Sequence, residues 1–285
     1  MKKRLIIIFL LFILVNILIN SSFIINNIYD YTNLFIKNLF FNTFIIYIIS
    51  SLLIDNGLLD ILNPIIFTNV ISMISGFPSG IKYSKELLDK EYINVDCANY
   101  LVTFCHYPNP LFIIGSVSTI IGMKSAIFIL ISIYISNFIV SRIFKSRFNI
   151  TTNYIYRKSN YNFMTSLNNS IMNAFKTILL IYGTSVISLV ILLIIINVIK
   201  PTNIIYSIIS GIFDLTKGIF STILINNKRI RVYLILMFIT FGSLNIHLQV
   251  RSICNKDINY KYFLFGRLLS TLLVIIINIV YNLLG

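Results

Sequence analysis

The chain has few of the residues from which soluble proteins build charged surfaces and reactive sites. Only 11% of its 285 residues are charged, nine are acidic, and there are two histidines and three cysteines. The cysteines, Cys97, Cys105 and Cys254, form no CxxC motif and no cluster with histidine, so we expect neither a disulfide framework nor a metal site. Ser243 and His247 are spaced for one helical face, but no complete catalytic set accompanies them. We therefore expect no enzymatic activity and no cofactor.

Apolar residues, in contrast, are abundant. They make up 57% of the sequence, and the mean hydropathy is +0.89, which is typical of a polytopic membrane protein rather than a soluble domain. Lysine and arginine number 23 against nine acids. In a membrane protein such an excess indicates cationic loops that set the topology, so we expect a lipid bilayer as partner and no nucleic acid.

Long apolar runs predict membrane-spanning helices, since a helix needs roughly 20 residues to cross a bilayer. The runs cover residues 5–19, 38–54, 111–121, 125–140, 171–199, 231–250 and 262–284. Two weaker segments, 61–80 and 203–221, are interrupted by Gly, Pro, Asp or Thr and are candidate re-entrant hairpins. The predicted fold class is an all-α polytopic membrane protein with about seven transmembrane helices plus two re-entrant hairpins.

Basic residues predict which helix ends face the cytoplasm. The acid-free stretch 141–162 contains Arg142, Lys145, Arg147, Arg157 and Lys158. Such loops, like a basic N-terminus, normally face the cytoplasm, so the second half begins on the opposite side as an inverted repeat. Lys228, Arg229 and Arg231 fit this topology badly because they would lie outside. The predicted units are an N-terminal extra transmembrane helix and loop (1–37), a first repeat (38–140), a basic cytoplasmic loop (141–168) and a second, inverted repeat (169–285).

Each half has a broken hairpin followed by a break that contains a histidine. In the first half, residues 76–80 (Gly-Phe-Pro-Ser-Gly) precede residues 106–110 (His-Tyr-Pro-Asn-Pro). In the second half, residues 211–218 (Gly-Ile-Phe-Asp-Leu-Thr-Lys-Gly) precede residues 245–249 (Asn-Ile-His-Leu-Gln). Non-helical backbone at membrane depth is tolerated only where protein buries it or it lines a watery cavity, so these breaks are candidate sites. Chance also produces such a placement of two histidines.

The broken hairpins suit an anionic ligand. A short helix directed inward offers unpaired N–H groups and a dipole to a carboxylate or phosphate oxygen. The glycines of residues 76–80 permit a turn and a close approach of ligand, while Pro78 prevents the helix from closing. Lys82 and Lys217 would add positive charge near the tips. Alternatively, Lys82 belongs to a solvated cytoplasmic stretch, residues 82–96.

Asp214 lies in an apolar segment, where an ionised side chain is costly. Near the bilayer centre the cost is about 2.5 to 3.5 kcal/mol on insertion scales, so Asp214 needs a partner or a water-filled cavity. Lys217, three residues on, is one candidate partner. The roles open to His106 and His247 are proton relay, substrate binding and hydrogen bonding to a broken backbone.

Four motifs in a fixed order resemble a known family. They are Gly-Phe-Pro-Ser-Gly-Ile-Lys at 76–82, Asn-Pro-Leu-Phe-Ile-Ile-Gly at 109–115, Asp-Leu-Thr-Lys-Gly at 214–218 and Gly-Ser-Leu-Asn-Ile-His-Leu-Gln-Val at 242–250. Together they resemble the sporulation integral membrane protein YlbJ family, in the nucleoside-recognition or Gate-domain group, from about residue 40 to the end. Two departures are clear: the family usually has Glu at the position of Asp214 and an Asn-rich run at residues 106–108.

The resemblance implies a membrane protein made during endospore formation, with hairpins similar to those of concentrative nucleoside transporters. It also implies passage of dipicolinic acid across the outer forespore membrane. Combined with the broken hairpins, it predicts a substrate site between their tips. The predicted substrate-binding residues are Gly76, Pro78, Ser79, Gly80, Lys82, Asn109, Asp214, Thr216, Lys217, Gly218, Asn245, His247 and Gln249.

We therefore expect a carrier for a small anionic metabolite, dipicolinic acid by resemblance, in the outer forespore membrane. Each hairpin tip would receive one of its carboxylates. Because intramembrane acids are scarce, there is little with which to bind a coupling cation or shuttle protons, and we expect downhill movement. Two alternatives stay open: a non-transporting membrane scaffold for spore cortex or envelope assembly, and a nucleoside transporter. Homo-oligomerisation also stays open.

Overall fold

The computed structural model describes residues 2–152, 162–254 and 256–284. Over these residues the chain is helical, and its one β feature is an isolated bridge between Ile93 and Thr152. The all-α fold class predicted from the sequence is confirmed. Two cations of the predicted cytoplasmic loop, Arg157 and Lys158, lie outside the described residues.

The helices follow one another with short connections. Those of the first half are α1 (Lys2–Ile19), α2 (Ser21–Phe35), α3 (Phe41–Asp55), α4 (Pro64–Ser75), α5 (Ser79–Asp89), α6 (Val95–Phe104), α7 (Pro110–Phe112), α8 (Ser118–Ile121) and α9 (Met123–Lys145). Those of the second half are α10 (Phe163–Ile199), α11 (Asn203–Phe213), α12 (Leu215–Ser221), α13 (Lys228–Phe241), α14 (Leu244–Ile253) and α15 (Tyr260–Leu284). Two π-helical segments, Ile36–Phe40 and Ile113–Val117, join α2 to α3 and α7 to α8.

Several helices are long and apolar enough to cross a membrane. In the described part of the chain there are four, Met123–Lys145, Phe163–Ile199, Lys228–Ile253 and Tyr260–Tyr281, or five if the bent pair Lys3–Ile19 and Ser21–Phe35 is one span. Six of the seven predicted apolar runs are helical throughout, and the run at 231–250 is divided between α13 and α14 by residues 242–243. The runs at 38–54 and 111–121 are not among the four or five, because their apolar helices, Thr43–Asp55 and Pro110–Ile121, are too short to cross a bilayer. The set is consistent with a polytopic integral membrane protein.

Both interrupted segments fold as pairs of short helices. In the first pair, residues 76–78 separate α4 from α5, and the peptide bond before Pro78 is cis. In the second pair, Asp214 alone separates α11 from α12. The helices of the second pair touch, because a Cβ built on Gly218 would be 2.2 Å from the Cα of Gly211. These pairs are the candidate hairpins of the sequence, and their tips face the middle of the protein.

The N-terminal helices differ from the predicted span and loop. α1 and α2 meet at 94° around Asn20. α1 exposes apolar side chains along most of its length, as a lipid-facing helix does. α2 instead buries Tyr31 and Phe35, and the Phe35 ring lies 5.2 Å from that of Tyr182 on α10. Most of the predicted loop is therefore a helix that packs against the second half.

The two halves repeat one order of elements. Each has a helix (α3 or α10), a hairpin (α4–α5 or α11–α12), an interrupted helix and a long final helix (α9 or α15). The interruptions are residues 105–109 between α6 and α7 and residues 242–243 between α13 and α14. α3 packs on α10, and α9 packs on α15, where the hydroxyls of Ser136 and Ser270 are 2.8 Å apart. The inverted orientation of the second half stays a prediction.

Candidate functional site

A cavity of about 60 Å³ lies where the hairpin tips meet the two interruptions. Its polar lining consists of Tyr31, Thr43, Ser75, Asn109, Ser185, Thr216, Asn245 and Gln249. Its apolar lining consists of Phe35, Leu39, Phe77, Phe112, Ile181, Leu215 and Ile246. One buried water needs at least roughly 10 to 15 Å³ of such space, so the cavity holds a few water molecules. Both halves of the chain and α2 contribute to it.

The predicted site residues fall into three groups. Those that line the cavity are Asn109, Thr216, Asn245 and Gln249. Those that form the turns and helix starts of the hairpins are Gly76, Pro78, Ser79, Gly80 and Gly218. Asp214 contacts the lining through hydrogen bonds, whereas Lys82, Lys217 and His247 lie outside it.

Asp214 is fully buried and joins three parts of the chain. Its Oδ1 accepts the backbone N–H of Lys217 at 2.8 Å and so caps α12. Its Oδ2 accepts the hydroxyl of Tyr31 at 3.0 Å and the amide of Asn245 at 2.9 Å. The carboxylate therefore ties the tip of the second hairpin to α2 and to α14.

This arrangement corrects two expectations. The ion pairs found among the described residues do not join Lys217 to Asp214. The group of Lys217 that meets the carboxylate is its backbone N–H. The Nζ atom of Lys217 donates instead to Asn27 on α2 at 3.3 Å. The tip of the second hairpin is also not open to a substrate carboxylate, because the Asp214 carboxylate already occupies it.

Lys82 fits neither of the roles proposed from the sequence. It is 9% exposed, and its ammonium pairs with Glu86 at 3.3 Å. The same ammonium lies 4.9 Å from the ring centre of Tyr47 and 4.2 Å from that of Tyr83. Lys82 is thus neither a charge at the hairpin tip nor a solvated surface residue. It is a buried cation held by an acid and two aromatic faces.

Helix N-termini supply the positive potential near the cavity. α5, α7, α12 and α14 all begin beside it. Asn109 caps α7 by accepting the N–H of Leu111 at 2.8 Å, and Asp214 caps α12. α5 and α14 have no N-cap side chain, although the Ser79 N–H donates to the carbonyl oxygen of Gly76 and the Ile246 N–H donates to Oδ1 of Asn245. The helix dipole gives each start a partial positive charge of about half an elementary charge. One such helix comes from each half.

Gln249 leaves a buried acceptor at the cavity. It is 2% exposed, and its Nε2 donates to Ser185 at 3.4 Å. Its Oε1 has no hydrogen-bond partner in the part of the chain that the structure describes. Buried polar atoms are nearly always paired, so an unpaired oxygen in a cavity wall indicates a place for a donor on a water molecule or a ligand. Thr216, on α12, lines the same cavity.

The two histidines lie behind the cavity rather than in it. The ring of His106 stacks on Phe77 with centroids 4.2 Å apart and meets the edge of Phe263 at 4.8 Å. In His247, Nδ1 lies 2.6 Å from the Tyr260 hydroxyl and Nε2 lies 3.2 Å from the carbonyl oxygen of Phe241, where α13 ends. Of the three roles open to His247, hydrogen bonding to a broken backbone is the one this geometry matches.

Arg267 is a buried cation that the sequence analysis missed. It is fully buried, and none of the four ion pairs found among the described residues includes it. Its guanidinium donates to the carbonyl oxygens of Thr103 and His106 at 3.2 and 3.3 Å, and to Oδ1 of Asn137 at 3.0 Å. Arg267 therefore satisfies carbonyl groups that the first interruption leaves without helical partners.

Replacing Arg267 with methionine is expected to destabilise the protein by about 2 to 3 kcal/mol, because several buried acceptors lose a charged donor. Thermal unfolding of the purified protein in detergent measures this. Arg251→Met is the control, since Arg251 is exposed and lies over the ring of Tyr260. Equal unfolding temperatures for the two variants would contradict the role given to Arg267.

Some of these missed residues carried a signal in the sequence. A lone cation inside the apolar run 262–284 is a functional or structural marker by itself, and it identifies Arg267. Tyr31 lies on one helical face with Ile24 and Phe35, seven residues after the first and four before the second. Ser185, in the long apolar run 171–199, carries no comparable signal.

No group of three or more His, Cys, Asp or Glu side chains that could hold a metal ion occurs within residues 2–152, 162–254 and 256–284. Comparisons of the chain with protein-family models, with curated proteins and with solved structures give no match.

Proposed function

We propose that the protein is a membrane carrier whose substrate binds in the central cavity between the hairpin tips. The observation that carries this proposal is a buried, partly polar cavity at the meeting point of two hairpins and two helix interruptions. Irregular backbone at such a depth is typical of substrate sites in transporters built from repeats. The unpaired Oε1 of Gln249 and the positive dipole ends of α5 and α14 are what the site offers to a ligand. At those helix starts, the N–H groups of Ser79 and Ile246 are already bonded, to the Gly76 carbonyl oxygen and to Asn245 Oδ1.

The proposed substrate is a small anion. The positive dipole ends of α5 and α14 favour an anionic oxygen, and they are the positive groups at the cavity because the described residues that line it include no lysine or arginine. Dipicolinic acid, crossing the outer forespore membrane, is the first candidate through the family resemblance. A cavity of about 60 Å³ is too small for an aromatic dicarboxylate, so binding requires the hairpin tips to separate.

The proposed movement is downhill. Asp214 is the one intramembrane acid beside the cavity, and its oxygens already accept three hydrogen bonds. A carboxylate engaged in this way is not available to bind a coupling cation. The carrier would therefore equilibrate its substrate across the membrane.

Flux in proteoliposomes tests the proposal. Purified protein is reconstituted, and uptake of labelled dipicolinate is compared with uptake of nucleosides and of inorganic phosphate, with and without an ion gradient. Saturable dipicolinate uptake that needs no gradient is the expected result. Uptake of nucleosides alone would show that the substrate is a nucleoside and not a small anion. The absence of saturable flux for all three compounds would favour a non-transporting scaffold.

Two substitutions in the cavity wall should reduce flux while sparing the fold. Thr216→Val and Gln249→Leu each remove a polar group that faces the cavity. Loss of one hydrogen bond to a charged ligand weakens binding about tenfold or more, so the substrate concentration for half-maximal uptake should rise by that factor. Thr119→Val is the matched control, because Thr119 is exposed and bonds only to its own helix. A similar effect in the control would contradict the assignment of the cavity.

A further inference from the structure

A second cavity, of about 360 Å³, opens at one end of the helix bundle. It lies between the first turns of α9 and α13 and the last turns of α15. Lys124, Lys228 and Arg229 line it, and its lining includes no acid. All three cations are exposed, and their side chains take part in none of the hydrogen bonds or ion pairs found among the described residues.

A neighbouring cation shows by contrast that these three have no structural task. Arg231 follows Lys228 and Arg229 on α13, but its guanidinium donates to the carbonyl oxygens of Ile225 and Ile120. Arg231 therefore satisfies one carbonyl group in α8 and one just before α13. Three positive charges, those of Lys124, Lys228 and Arg229, thus lie in the wall of one open cavity, and the described residues of that wall include no acid.

The rest of the wall combines two polar residues, Ser125 and Asn278, with aromatic and apolar ones. The rings of Phe128 and Tyr281 stack with centroids 4.0 Å apart, and Val232 lies beside them in the lining. Next to the cavity, α9 and α15 expose the apolar side chains of Ile127 and Ile276, at 41% and 56%. A ligand that fills the cavity thus meets cations at one end and hydrocarbon at the other.

The cavity lies at one end of a helix that is long and apolar enough to cross a membrane. α9 has 23 residues and spans about 35 Å at 1.5 Å per residue, slightly more than the roughly 30 Å of hydrocarbon in a bilayer. Lys124 is at one end of α9, and Arg142 and Lys145 are at the other. With α9 crossing the bilayer, the cavity opens at the membrane surface opposite Arg142 and Lys145.

From this arrangement we infer that the cavity binds the phosphate headgroup of an anionic phospholipid, with the acyl chains running down the exposed faces of α9 and α15. Basic pockets between transmembrane helices are suited to such headgroups. The cations bind the phosphate, the aromatic pair packs against the glycerol region, and the apolar residues contact the chains. The inference is independent of the proposed transport function. It also explains why Lys228 and Arg229 are basic although the predicted topology places them on the outer side of the membrane.

Lipid titration of the full-length protein tests the inference. Purified protein in detergent is titrated with short-chain phosphatidylglycerol, with phosphatidylcholine of the same chain length and with inorganic phosphate, and binding is followed by native mass spectrometry and thermal unfolding. We expect phosphatidylglycerol to bind and stabilise and the other two to have little effect. Equal stabilisation by inorganic phosphate would overturn the lipid assignment, and equal binding of phosphatidylcholine would overturn the role of the cations.

Charge removal at the two ends of α9 supplies the matched comparison. Each cation near a membrane surface contributes about 1 kcal/mol, or about a fivefold change in affinity. Lys124→Gln should therefore weaken phosphatidylglycerol binding about fivefold, and the triple variant with Lys228→Gln and Arg229→Gln about a hundredfold. Lys145→Gln, at the far end of the same helix, should change it little. If Lys145→Gln weakens binding as much as Lys124→Gln, the inference fails.

Discussion

Replacing Asp214 with alanine is expected to abolish flux and to lower the free energy of unfolding by about 3 kcal/mol or more. The variant removes a helix cap, which alone contributes about 1 kcal/mol. It also leaves the Tyr31 hydroxyl and the Asn245 amide without their carboxylate acceptor inside the protein, at about 1 kcal/mol or more each. Without the carboxylate, the second hairpin is no longer held against α2 and α14, and the cavity loses its shape.

Thermal unfolding and proteoliposome flux of the same preparation measure both effects. Asp30→Ala is the control, because Asp30 precedes Tyr31 on α2 but is exposed. Asp214→Asn should lie between the wild type and the alanine variant, since an amide oxygen can still cap α12 while the charge is gone. A wild-type unfolding temperature for Asp214→Ala would show that the three hydrogen bonds do not hold the second hairpin in place. Wild-type flux would show that this hairpin is not needed for transport.

Replacing Gly80 with alanine is expected to prevent folding. A Cβ at this position would lie 1.6 Å from the carbonyl oxygen of Cys105, which is backbone and cannot turn aside. Overpacking typically costs about 1 to 3 kcal/mol when side chains can adjust, and here α5 and the first interruption must separate instead. The expected outcome is loss of monodisperse protein after detergent extraction, measured by size-exclusion chromatography of a fluorescent fusion.

Gly115→Ala is the matched control, because a Cβ on Gly115 would meet no atom within 4 Å. It should yield normal amounts of folded protein. Folded and monodisperse Gly80→Ala protein would mean that α5 and the first interruption do not pack as closely as described. Since Gly80 is a packing position, a bulky residue there reports on folding and cannot distinguish a carrier from a scaffold. Thr216 and Gln249 serve that purpose better, because their side chains face the cavity.

The sequence predicts the helices and the hairpins well because their signals are local. Apolar runs and Gly-, Pro- or Asp-containing interruptions lie within single elements, and segments 61–80 and 203–221 were recognisable for that reason. The number of full spans was harder to predict. An apolar run does not show where its helix begins and ends, as at 111–121, where the helix Pro110–Ile121 is too short to cross a bilayer.

The candidate site was predicted less completely because its contacts join distant parts of the chain. Asn109, Thr216, Asn245 and Gln249 lie near breaks, and a break is visible in the sequence. The hydrogen bond from the Lys217 side chain to Asn27 on α2 joins distant parts of the chain, and a charge pattern does not reveal it. The contribution of Tyr31 depends on how α2 folds back onto the second half, and no local pattern encodes that contact.

The hydrogen bond between Tyr31 and Asp214 has a consequence for the order of assembly. The two residues are 183 positions apart, so at about 5 to 20 residues per second roughly 10 to 40 s of synthesis separate them. During that interval the hydroxyl of Tyr31 must remain with water at the membrane surface or with a temporary partner. This hydrogen bond therefore forms only after the second hairpin has been made, although Phe35 of α2 can meet Tyr182 on α10 before then. A nascent protein that stalls before the second hairpin leaves the cavity incomplete.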